Sequence, residues 1–152
     1  MTRIITLLAT GSTGLVAGLF AAFAYAVMPG LRRVDDETFV RTMRGINVAI
    51  LNPVFALLFG GALVLAIAAA VLGRNGESRW WLAAGAVLYL ATIAITLAAN
   101  VPLNEALENG KDSASSLRAS FETPWTAWNV ARTVTSLGSF MSLAAAGVRA
   151  AA

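Results

Sequence analysis

Four long apolar runs, separated by short polar segments, set out this chain. No charged residue occurs from Ile4 to Leu31, from Gly45 to Gly73 or from Trp80 to Asn104. A fourth run, from about Trp125 to Val148, is interrupted only by Arg132. Each is long enough to cross a bilayer core of about 30 Å, which takes roughly 20 apolar residues. The pattern predicts an all-α fold, a bundle of four transmembrane helices at about 4–27, 46–73, 80–101 and 125–148. Between the first two, "VDDETFVRTMRGIN" reads as a short amphipathic helix on the membrane interface. Its acidic first turn suits the helix dipole, and Phe39, Val40 and Met43 give it one apolar face. "RNGES" is a short connection, and 105–123 reads as a polar, irregular loop. Trp80, Trp81 and Tyr89 are expected as interfacial or near-interfacial anchors. No linker or internal repeat marks a second domain, so 1–152 is read as one membrane unit.

Arg3 and the small-residue patterns "AFA" and "AYA" also fit a secretory signal. The apolar run is longer than the roughly 7–15 residues of a signal core, so it is read as a retained helix. Composition strengthens the membrane reading. The chain of 152 residues is 58% hydrophobic and 12% charged, against about 25% charged in soluble domains. Its mean hydropathy is +0.73. With no cysteine and no histidine, disulfides, thiolate chemistry and a histidine base are excluded, and haem, zinc and iron–sulfur ligation lose their usual ligands. Met1, Met28, Met43 and Met141 are scattered and read as packing, not as a copper site. No cofactor is expected.

The sequence pI near 10.2 does not imply nucleic acid, because the basic residues stand singly or in pairs and suit membrane flanks. Arg32, Arg33, Arg41, Arg44, Lys111 and Arg118 fall on one side, and Arg3, Arg74, Arg79 and Arg149 on the other. Counting basic residues makes the first side cytoplasmic, yet seven of the eight acidic residues also lie there. Both termini are expected inside, in the cell membrane. Gly14 and Gly18 form a GxxxG spacing, read chiefly as helix packing and otherwise as a face for a second copy.

Candidate chemistry gathers at one mouth of the bundle. "RGINVAILNPVF" carries Arg44, Asn47 and Asn52, with Pro53 suited to a helix start. "ANVPLNEALENG" carries Asn100, Asn104 and Glu105 around Pro102, which clashes with the Ala98 carbonyl and ends or kinks the helix. An asparagine amide near that break can satisfy the freed backbone. "PWTAWNVART" places Trp125, Trp128, Asn129 and Arg132 on one helical stripe, which Ser136 extends. The bland reading is capping and snorkelling; polar groups in membrane helices otherwise mark an internal site.

"NVPLNEAL", "WTAWNVART" and "INVAILNPVF", in this order after a first helix ending in "AVMPGLRR", resemble the anthrone-oxygenase-like family of small membrane proteins. The resemblance covers nearly the whole chain. It implies oxidation of an anthrone, a tricyclic phenolic ketone, to an anthraquinone by O2 without metal or flavin. Under it, Arg132 with Asn129 stabilises the enolate oxygen, Asn100 and Asn104 hold substrate oxygens, and Trp125 and Trp128 stack on the rings. Arg44, Asn47 and Asn52 line the approach, and Glu105 or Asp36 is the base unless Arg132 acidifies the substrate enough for water. The alternative is a non-enzymatic membrane module that binds or transports a lipophile or serves a larger complex. No inverted repeat favours a transporter.

Overall fold

The computed structural model describes residues 2–149, and among them every regular element is a helix. We label the helices α1 (Thr2–Leu31), α2 (Asp36–Ile50), α3 (Pro53–Leu72), α4 (Arg79–Asn109) and α5 (Ala114–Arg149). The four long ones form a ring in which α5 packs on α1 and α4, α1 on α3, and α3 on α4. α2 lies across one end, against α4 and α5.

α1, α3 and α4 are long and apolar enough to cross a membrane. α5, expected as a fourth span, is not among them although it is the longest helix. The cause is its inner face. Asn129, Arg132, Ser136, Ser139 and Ser142 are buried there, so its polar residues point into the protein. The inner side is closely fitted. Ser139 Oγ donates to the Gly85 carbonyl at 2.8 Å, and a Cβ on Gly85 would lie 2.7 Å from Leu143. Thr92 and Thr135 share a hydroxyl bond of 2.8 Å across the same contact.

Several expected boundaries shift. Pro102 does not end its helix: α4 runs on to Asn109, and 114–123, expected as loop, is the start of α5. A π-helical turn at Thr96–Asn100 precedes Pro102, and another at Phe23–Val27 precedes Pro29. Each widened turn ends two residues before a proline, where the ring removes a donor and crowds the carbonyl four back. α5 begins early because Leu117, Phe121 and Trp125, one turn apart, bury against Phe39, Met43 and Leu107. Phe39, Val40 and Met43 were expected on the membrane interface; they are core residues instead. Tyr89, expected near the interface, is fully buried, and its hydroxyl donates to the Phe59 carbonyl at 3.0 Å. The expected second span divides at Leu51 and Asn52, between α2 and α3.

Candidate functional site

The candidate residues sit where α1, α4 and α5 meet below α2. Helical spacing on α5 brings Trp125, Asn129 and Arg132 to one buried stripe. Arg132 is 7% exposed. Its Nε and Nη2 donate to Asn129 Oδ1 at 3.1 and 3.0 Å. The guanidinium carbon lies 4.0 Å from the centre of the Phe20 ring and 5.3 Å from that of Trp125. Among the described residues, no carboxylate forms a salt bridge with it. A charge held by aromatic faces and one amide oxygen keeps most of its field for whatever enters beside it.

Asn129 is locked from its other end, with Nδ2 donating to the Phe20 carbonyl at 3.1 Å. Trp125 is likewise fixed: its Nε1 donates to Asn104 Oδ1 at 2.7 Å, and its ring lies 5.7 Å from Phe23 and 5.8 Å from Phe121. Asn100 Nδ2 donates to the Trp125 carbonyl at 3.4 Å, not to Ala98 as the proline argument expected. Its Oδ1 is buried without a partner, as is Asn47 Nδ2. Among the described residues nothing pairs with these two atoms, and a buried group left so costs about 1–3 kcal/mol unless water or a ligand meets it.

The other expected residues fall outside this cluster. Trp128 is 46% exposed on the outer side of α5. Asn52 caps α3, its Oδ1 accepting from Phe55 N at 3.0 Å. Arg44 donates to the Leu107 carbonyl at 3.0 and 2.8 Å and to that of Gly110 at 2.8 Å, which closes the end of α4. Glu105 is exposed. Asp36 accepts from Arg118 Nη1 at 3.0 Å.

Arg118 is a hub that sequence reading missed. It also bonds Glu122 at 2.7 Å and the carbonyls of Val34 and Arg32 at 2.8 and 3.2 Å, and lies 4.7 Å over Phe39. Its bond to Glu122 above all, then that to Asp36, holds the guanidinium above its ordinary range against desolvation. Next to it, the Thr38 backbone N–H holds the Asp35 carboxyl below its usual range. Phe20 and Phe23 were missed as well. Phe20 continues the stripe Thr13, Val16 along α1, whereas Phe23 lies in the π turn that follows and has no such signal.

Among the described residues no three acidic side chains converge on a metal position. No curated protein and no solved structure matches the chain significantly. A family model described as anthrone oxygenase matches residues 43–142, a span that takes in Asn47, Asn100, Asn104, Trp125, Asn129 and Arg132. With about two thirds of its length matched, the chain belongs to the anthrone oxygenase family.

Proposed function

We propose that the protein is an oxygenase of the cell membrane that converts an anthrone-like polycyclic phenol to a quinone with O2, without metal or flavin. The observation that carries this reading is Arg132, a buried cation beside Phe20 and Trp125 that is tied to Asn129 and, among the described residues, to no carboxylate. The substrate's central CH2 loses a proton to give a delocalised enolate, whose oxygen Arg132 and Asn129 stabilise. Donors set in place before the charge develops are worth about 10²–10³ in rate each. The enolate carbon then adds O2, and loss of water from the resulting substrate peroxide leaves the new carbonyl. One O2 thus replaces two C–H bonds by C=O and yields one H2O.

The Phe20 ring occupies the face of the guanidinium that a flat substrate needs, so the substrate would displace Phe20 and stack beside Trp125. Asn100 Oδ1 and Asn47 Nδ2 supply an unused acceptor and donor for substrate oxygens. Glu105 is exposed and Asp36 is engaged by Arg118, so the proton passes to water once Arg132 has lowered the substrate's own pKa. In the membrane, α5 crosses as the fourth helix of a four-span bundle, its polar stripe inward, with α2 at the interface and both termini cytoplasmic. Gly14 already faces Phe140 of its own chain, while Gly11 and Gly18 stand open beside it as the face for a second copy.

One observation favours a non-enzymatic, lipophile-binding module instead: protein side chains fill the cluster, and a cavity of about 750 Å³ lies at the opposite end. Turnover separates the two. Purified, chelator-treated protein supplied with a model anthrone should consume O2 faster than detergent micelles alone, with quinone and O2 in equal amounts. Binding without turnover would replace the oxygenase reading by the module.

A further inference from the structure

The end of the molecule away from Arg132 holds that cavity of about 750 Å³, between the first turns of α1, the connection from α3 to α4 and the last turns of α5. Leu7, Leu82 and Val148 supply apolar wall, and Arg3 and Arg149 line it together with Glu77. Leu7 and Val148 are each 72% exposed, so the wall is continuous with the apolar outside of the helices. Whatever fills the cavity can therefore arrive from the side, out of the bilayer. Among the described residues, this end carries Arg74, Arg79 and Arg149 against Glu77. Arg149 rests 5.3 Å over Trp81 and Arg79 rests 5.4 Å over Trp80. Tryptophans are enriched at headgroup depth in membranes, the level at which a neighbouring guanidinium can meet a lipid phosphate. Ser78, at the start of α4, turns its hydroxyl to the Ala146 carbonyl at 3.4 Å and makes no cap. The positive end of that helix is thereby left facing the same region.

We propose that this cavity binds one acidic phospholipid of the surrounding membrane, with its phosphate at Arg149 and an acyl chain leaving past Leu7 and Val148. The size, the lateral opening and the charge balance carry the assignment. It is independent of the oxygenase reading, since none of these residues touches the Arg132 cluster.

The test is native mass spectrometry of the full chain after exchange into mixed micelles of phosphatidylglycerol and phosphatidylcholine. Wild type should retain one phosphatidylglycerol, with a preference over phosphatidylcholine of about five-fold or more, the weight of one arginine near a phosphate. Arg149→Gln should abolish that preference. Gly147→Leu should remove the adduct by filling the cavity, because a Cβ at this lining position meets nothing within 4 Å. Thermal unfolding of both variants in detergent establishes that they fold. Equal retention of the two lipids, or adducts that persist in folded Gly147→Leu, would overturn the proposal. So would displacement of the lipid by inorganic phosphate, which would mean a free-anion site, or by a model anthrone.

Discussion

α3 and α5 stand across the ring from each other and are built in opposite ways. α3 leaves Val54, Leu57 and Val64 exposed, Leu57 at 75%, and its fully buried positions are the small residues Ala62, Ala66 and Ala69. α5 turns Asn129, Arg132 and three serines inward. In water this would be an inverted protein. In lipid, large side chains gain nothing by hiding, and small residues and hydrogen bonds hold helices together. The contrast also says where chemistry can be done. A cation kept inside such a bundle costs stability and persists where it serves a function.

The comparison breaks most severely at Asn129. Asn129→Leu leaves Arg132 buried without its amide acceptor and the Phe20 carbonyl without its donor. A loss of about 3 kcal/mol is expected, read as a lower midpoint of thermal unfolding in detergent. Gly85→Val tests the close approach of α4 to α5, where the added carbons meet Leu143 and the Ser139 carbonyl. It should cost about 1–3 kcal/mol by overpacking. Asn52→Ala removes the cap of α3 and should cost about 1 kcal/mol in the same assay. Leu57→Ala, on the outer face of α3, should stay within about 0.5 kcal/mol. A larger loss at Leu57 than at Asn129 would reverse the comparison.

Parts of this were legible from residues alone. Charge-free runs gave the long helices, because nothing else places that many apolar residues in a row. Spacing gave Trp125, Asn129 and Arg132, since period 3.6 carries them to one stripe. The same rule misled at Trp128, which stands at the stripe's edge and turns outward. It could not place Asn104 as the partner of Trp125 Nε1, because that contact joins two helices. Pro102 was read as ending or kinking its helix; the helix runs on past it after a π turn, and no residue type announces such a turn. Asn52 and Pro53 did mark a helix start, yet the cap uses the asparagine that was assigned to substrate. Arg118 was invisible for a different reason. Its partners Val34, Asp36 and Arg32 lie more than eighty residues away.

The central claim is that the buried guanidinium of Arg132 stabilises a developing oxyanion. O2 uptake with a model anthrone by Arg132→Gln, compared with wild type in the same micelles, tests it most directly. The glutamine keeps a hydrogen-bond donor and removes the charge, so the account predicts a fall in kcat/KM of about 10²-fold or more in a protein that still unfolds cooperatively. Full uptake by a folded Arg132→Gln protein would contradict it.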